Sequence, residues 1–435
     1  MKPNKKGRIA KLLGTIWIVF ALSQPVMAAS IELSLDDSIA LALKNNADLK
    51  IAQSSREKTY WTVKQAESNK NLDVSLAHTD TRYSSPVTIT DNQSSANKFN
   101  NQLSLSIPIY SGGKLESQVE QAKLDLKVAD LTIDLTKQQL RQTVTTYYFN
   151  VLHYRNEVKV NQGTVDNYAA HLKNVQDQYR IGTVAKSDVL ASQVELANAE
   201  DDLIQAQSNY QLAVAKLNHV IGLPLVSELT LKEDLKYQTY PATFEDCTQT
   251  ALVNRPEIAE YQAKIASAQA DIKIAKSGYL PTVEFALSQN WYDKDFPGLD
   301  NSNWQATLTT SLNLFDSGLN KSKVKQSKYN LDTVQEQARQ QRDTVLLEVR
   351  EYYLSMREAE KRIDIKKVAV EQAEESLKIA EARYKVGVGT NLAVFDAVVA
   401  LNQAKLNDIK ALYDYNTSKA QLEKAIGTAI EEKRG

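Results

Sequence analysis

Glycine and proline are scarce, at 14 and 9 residues in a chain of 435. A loop-rich enzyme needs more of both for its turns, so this composition suits long helices. A single cysteine, Cys247, excludes an internal disulfide. The four histidines, His78, His153, His171 and His219, are scattered, and no two share a metal-binding spacing such as HExxH. GxSxG, GxGxxG and EF-hand patterns are absent as well, so no catalytic residue, metal or cofactor is assigned. A formal net charge of −1 gives no basis for a nucleic-acid partner. The 53 acidic residues lie mostly on polar helical stretches, where water solvates them. Beyond residue 30 no apolar run is long enough for a transmembrane helix, so any entry into a membrane must be made by strands.

What is present begins with an export signal. Lys2, Lys5, Lys6, Arg8 and Lys11 precede "LLGTIWIVFAL", an apolar core too short to span a bilayer. "VMA" then offers small residues for cleavage after Ala28. Residues 1–28 hold five positive charges and no negative ones, so −1 becomes −6 for the rest of the chain.

The remainder is written twice. "LDDSIALALKNNADL" (35–49) aligns with "FEDCTQTALVNRPEI" (244–258) at an offset of 209, and the offset becomes 205 from Gly113/Gly318 onward. Tyr147-Tyr148 then matches Tyr352-Tyr353, Gly182 matches Gly387, and Ile221-Gly222 matches Ile426-Gly427. A series in fixed register with one gap indicates duplication. The gap falls at about residues 78–103, in polar stretches read as exposed loops. The predicted domains are a signal peptide (1–28), a first repeat (29–222), a linker (223–243), a second repeat (244–427) and a tail (428–435).

Each repeat predicts one order of elements. A helix of about 35 residues is opened by Ser34 or Thr243, with Pro256 a candidate break in the second. Two strands follow, from "LDVSLAHT" and "LSLSIPIY" or from "TVEFALS" and "ATLTTSLNLF", each alternating apolar with polar. A glycine turn leads to a helix running to about residue 180, a second turn, and a last helix. "RIGTVAKSDVL" (180–190) has a Lys-Ser pair but lacks the glycine before it, and helices flank it, so a phosphate loop is excluded.

Four strands cannot close a barrel, and open edges are not tolerated in lipid. Three chains would give twelve strands, an ordinary barrel size. Aromatics cluster at both strand ends: Tyr83, Phe99, Trp291, Tyr292 and Trp304 toward the loops, Tyr110 and Phe315 toward the helices. Two such clusters resemble the girdles of membrane barrels. The helices carry narrow, alanine-rich apolar seams and wide polar remainders, as in coiled coils. A periplasmic coiled-coil adaptor or structural protein without membrane strands stands as the alternative.

The signal, the duplicated plan, "IPIYSGGK" with "LNLFDSGL", and the pair "YRIGTVAKSDVL" and "YKVGVGTNLAVFDA" resemble the TolC-type outer-membrane efflux proteins. The resemblance covers essentially the whole mature chain. It implies an α+β membrane protein: a trimeric 12-stranded β-barrel, four strands per chain, continuous with a long periplasmic α-helical coiled-coil barrel. It implies a passive, non-enzymatic exit duct for efflux or type I secretion, set in outer-membrane lipid. Its partners would be two further copies, a periplasmic adaptor and an inner-membrane transporter. The hairpin tips, Gly182, Thr183, Val386, Gly387, Gly389 and Thr390, would meet the adaptor. Asp396 would stand in a cation-selective ring, although the second ring position is Ala393. Asp188 and Tyr384 would tie inner to outer hairpins. A second tie's arginine falls on Gly389, so that tie is missing or rebuilt through Asn391. Read from its own surroundings, Asp396 is equally a solvated helix acid.

Overall fold

The structure is a computed structural model and describes residues 31–83 and 96–427. The expected signal peptide, the tip of the first strand–strand loop and the tail lie outside them.

A short strand β1 (Ile31–Leu33) precedes α1 (Leu35–Asn45) and α2 (Ala47–Ser68). Strands β2 (Asp73–Tyr83) and β3 (Ala96–Tyr110) lead to α3 (Lys114–Arg180) and α4 (Lys186–Ile221). After β4 (Leu229–Leu231) the order recurs as α5 (Phe244–Asn254), α6 (Pro256–Lys276), β5 (Thr282–Asp293), β6 (Asn301–Ser311), α7 (Leu319–Lys385) and α8 (Asn391–Ala425). Both long helices have 67 residues, or ~100 Å at 1.5 Å per residue. No helix among the described residues is long and apolar enough to cross a membrane.

Ser34 and Thr243 do open the first helices, each in a reciprocal capping box with Asp37 or Asp246. The single helix of about 35 residues expected in each repeat is two helices. In the second the break falls at Arg255 before Pro256; in the first it falls at Asn46, which no proline announces. Asn46 turns to φ −60°, ψ 135°, and its side chain accepts from Asp48 N and Leu49 N, so it ends one helix and caps the next. The expected linker also holds β4, which pairs in parallel with β1.

The main sheet has the order β2-β3-β5-β6, all antiparallel. β2 and β3 run further into the expected loop than the alternation suggested, whereas β6 stops at Ser311, leaving Leu314 and Phe315 beyond the sheet. Register separates the two faces in the half of the sheet nearer the helices, while His78, Asn101 and Gln289 join the apolar face further toward the loops. One carries Val74, Leu76, Leu103, Leu105, Phe285 and Leu308; the other carries Ser75, Ser104, Ser288, Gln305, Thr307 and Thr309. The apolar side chains are largely exposed, with Leu76 at 73%. Among the described residues no core covers this face, and β2 and β6 each have one unpaired edge.

Helix neighbours repeat the strand order: α2 packs on α3, α3 on α6, and α6 on α7. Further along, α3 pairs with α4 and α7 with α8 as two hairpins, joined through α3 and α8. The larger cores lie mid-length, where α1 with β1 and β4 packs on Tyr148, Leu152 and Leu217. Cys247 and Ala251 of α5 pack likewise on Val345, Val349 and Met356.

Candidate functional site: the paired hairpin tips

Gly182 and Gly387 adopt φ of 80° and 78°, the left-handed region that a helix-ending residue needs. Gly182 N donates to Tyr179 O at 3.0 Å and Thr183 N to Gln178 O at 3.0 Å. The second tip repeats both bonds, from Gly387 N to Tyr384 O and from Val388 N to Arg383 O. Both tips are therefore Schellman-closed hairpin ends. Thr183 Oγ1 adds a bond to Gln178 O at 3.0 Å. Thr390 Oγ1 accepts from Ala393 N at 3.2 Å and so caps α8. Val386 projects into solvent at 73% exposure. At Gly389, a Cβ would lie 2.8 Å from Tyr384 N, so the position expected to hold a tie-forming arginine has no room for a side chain.

The expected Asp188–Tyr384 bond is not made. Tyr384 is buried, packs its ring against His171 at 5.0 Å, and its hydroxyl has no hydrogen-bond partner among the described residues. Burial, and then the Asp188 carboxylate, push this phenol above its usual range. The hairpins are joined instead through Asn391. His171 Nε2 lies 2.6 Å from Asn391 Oδ1, and Asn391 Nδ2 donates to the Asp188 main-chain carbonyl at 3.2 Å and to Ser192 Oγ at 3.3 Å. A carbonyl can only accept, which orients the amide with Oδ1 toward the imidazole, so Nε2 carries the proton. One side chain at the start of α8 thus links α3 and α4. Sequence reading named Asn391 but missed His171 and Ser192, which are brought there from 220 and 199 residues away.

Below this latch all four helices share a small core including Tyr168, Val175, Leu377, Val394 and Leu401. Burial, followed by Glu195 and Asp396, pushes the Tyr168 phenol up to about 12. Asp396 is exposed, on one stripe of α8 with Leu392 and Val399, and Ala393 is exposed beside it.

At the other end, Phe99, Trp291, Trp304 and Tyr110 share the apolar face of the sheet. Tyr292 points to the opposite, polar face because it is one residue out of phase with Trp291. Phe99 is partly covered by Phe296, 5.7 Å away in an edge-on contact. Phe315 stands past β6, 85% exposed. Tyr83 ends β2 opposite Ala96, and its side chain lies outside the described residues.

A sheet greasy on one side and polar on the other, continuous with ~100 Å helical hairpins, defines a membrane channel extended by a helical tunnel. The model of the outer membrane efflux protein family matches residues 38–223 and 247–428, and the chain belongs to that family. It is 26% identical over 350 residues to outer membrane protein TolC of Escherichia coli K12, covering 76% of this chain and 69% of that one. It is 21% identical to the solvent efflux pump outer membrane protein SrpC of Pseudomonas putida, covering 89% and 83%. The fold is that of crystalline CusC, with a TM-score of 0.81 at 18% identity over 94% of this chain and 96% of that one. VceC of Vibrio cholerae superposes with a TM-score of 0.78 at 18% identity over 90% and 96%. The protein is an outer-membrane exit duct, and its homologues are channel proteins rather than enzymes.

Proposed function

We propose that three copies close into one duct, with residues 1–28 serving as a signal cleaved after Ala28. The observation that carries this is the pair of unpaired edges on β2 and β6, flanking an uncovered apolar face. In lipid every backbone polar group must be paired, so β6 of one copy meets β2 of the next and twelve strands close the barrel. Exposed apolar seams support the same closure: Leu347, Leu354, Ile365 and Ile379 recur on α7 at spacings of seven, eleven and fourteen. Phe99, Trp291, Trp304, Tyr110 and Phe315 act as girdles at the two interfaces. The tips, with exposed Val386 and the Gly182–Thr183 and Gly387–Thr390 turns, receive an adaptor that links the duct to an inner-membrane transporter. The transporter supplies energy, and the duct conducts passively for efflux or type I secretion.

Native mass spectrometry of the detergent-extracted protein tests the closure. A trimer is expected, and a monomer at all concentrations would overturn it.

Three Asp396 carboxylates around the axis would attract cations. Single-channel recording of Asp396→Ala should then show reduced cation selectivity. Unchanged selectivity and unchanged divalent block would return Asp396 to the role of a solvated acid.

A further inference from the structure

Just below the sheet the two repeats carry different charge on one matched helix face. In the first repeat that face is neutralised: Lys70 meets Glu116 at 3.3 Å, Lys123 meets Glu67 at 3.6 Å, and Lys273 meets Glu120 at 2.8 Å. At the offsets of 205 and 209, Glu116, Glu120 and Glu67 become Lys321, Lys325 and Lys276, and Lys123 becomes Lys328. All four are exposed, and none makes an ion pair or hydrogen bond among the described residues. The first turn of α7 has no acid, and cations there oppose the helix dipole. Lys321 therefore gains nothing from the dipole, whereas Lys276 sits in the last turn of α6, where a cation is favourable. Asp332, one turn below Lys328, is the nearest acid in sequence on that face.

The face points outward. Thirty-six residues are ten turns at 3.6 residues per turn, and Asn320 and Met356, one position earlier at each end, are both buried, so Lys321 shares its direction with Arg357 to within about a quarter turn. The Arg357 guanidinium donates to the carbonyls of Tyr240 and Ala242, in the layer packed around the helices at mid-length. In the first repeat Glu120 shares its direction with Asn156, whose amide donates to Asp234 in the same layer. That layer covers the outside because the opposite face lines the lumen; this step rests on the trimeric duct proposed above.

Above the lysines stand Leu312, Leu314, Phe315 and Leu319, all exposed, where the barrel meets the helices. Lys321, Lys325 and Lys328 lie roughly 3, 9 and 14 Å down α7 at 1.5 Å per residue. The first of these depths lies in the headgroup zone, and the lower two reach up toward it on their snorkelling stems. We propose that Lys276, Lys321, Lys325 and Lys328 form a headgroup site for anionic phospholipid of the periplasmic leaflet, one per chain.

The test is native mass spectrometry of the full trimer released from nanodiscs of phosphatidylglycerol or of phosphatidylcholine. Wild type should retain phosphatidylglycerol at least fivefold over phosphatidylcholine, with the preference declining as salt rises. The triple variant Lys321→Gln, Lys325→Gln, Lys328→Gln should lose that preference, while Lys323→Gln, on the opposite face of α7, should keep it. Equal retention of the two lipids by wild type, or an unchanged preference in the triple variant, would overturn the site. So would a triple variant whose trimers dissociate with lipid retention unaltered, since the lysines would then pair with the neighbouring copy. A wild-type monomer would instead refute the duct reading, and the same spectrum separates the two failures.

Discussion

Asn391→Ala should open the resting channel. The substitution removes the acceptor of the His171 Nε2 proton and a donor to the Asp188 carbonyl and Ser192 hydroxyl at once. A buried polar group left unpaired costs about 1–3 kcal/mol, and three protomers would each lose the latch. Open probability in planar bilayers should rise by roughly tenfold or more, since each 1.4 kcal/mol is a factor of ten. Vancomycin leak into cells should rise in parallel. Two controls distinguish this latch from the Asp188–Tyr384 tie. Asp188→Ala keeps the main-chain carbonyl that Asn391 uses, so it should stay near the wild-type resting conductance. Tyr384→Phe removes a hydroxyl that has no partner among the described residues and should be equally quiet. A silent Asn391→Ala beside a leaky Tyr384→Phe would return the gate to the tyrosine.

Arg255→Ala should be the most destabilising single change at mid-length. The Arg255 side chain is 1% exposed. Its guanidinium donates to Glu257 at 2.6 Å, to Glu348 at 3.0 Å and to the Ala425 carbonyl at 3.3 Å, so it ties α6, α7 and the end of α8 together. Removing one partner of a buried charge cluster costs about 3–5 kcal/mol. A drop of that size should appear in the unfolding free energy from urea titration of the helical circular-dichroism signal. Arg255→Lys should recover little of it, because an ammonium cannot present the planar fork that reaches two carboxylates and a carbonyl. An unfolding free energy within about 1 kcal/mol of wild type would show that the cluster relaxes around the loss.

The two repeats place different chemistry at this matched position. Asn46, the counterpart of Arg255 at the offset of 209, donates through Nδ2 to Val220 O at 3.3 Å. Val220 is itself the counterpart of Ala425 at the offset of 205. One carbonyl at the end of the last helix is thus held in both halves, by a neutral amide in one and a charged cluster in the other. Duplication preserved the geometric need while the side chains diverged.

Much of the fold was legible from periodicity. The 67-residue helices have no interior proline, the alternating stretches became β2, β3, β5 and β6, and Ser34 and Thr243 became caps. These are local properties, set by residues a few positions apart. The failures were also local in origin. Asn46 breaks a helix without proline because its amide can both end one helix and start another. Phe315 looked like a strand residue because alternation continued past the last backbone pairing partner at Ser311.

The proposed gate was legible only as a location. The twin turns at Gly182 and Gly387, and Asn391 as a substitute tie, could be named from the chain alone. His171 carries no signal in sequence: it is one histidine in a long helix, 220 residues from its partner. By itself the sequence determined the duplication, the element order, the alternation of strand faces and the turn glycines, because each depends on spacing along one chain. Only the tertiary structure decided which side chains meet across hairpins, and that Tyr384 faces His171 rather than bonding Asp188. Those outcomes depend on the rotation of one long helix against another, and a few degrees of helical phase accumulated over 67 residues are not recoverable from local pattern.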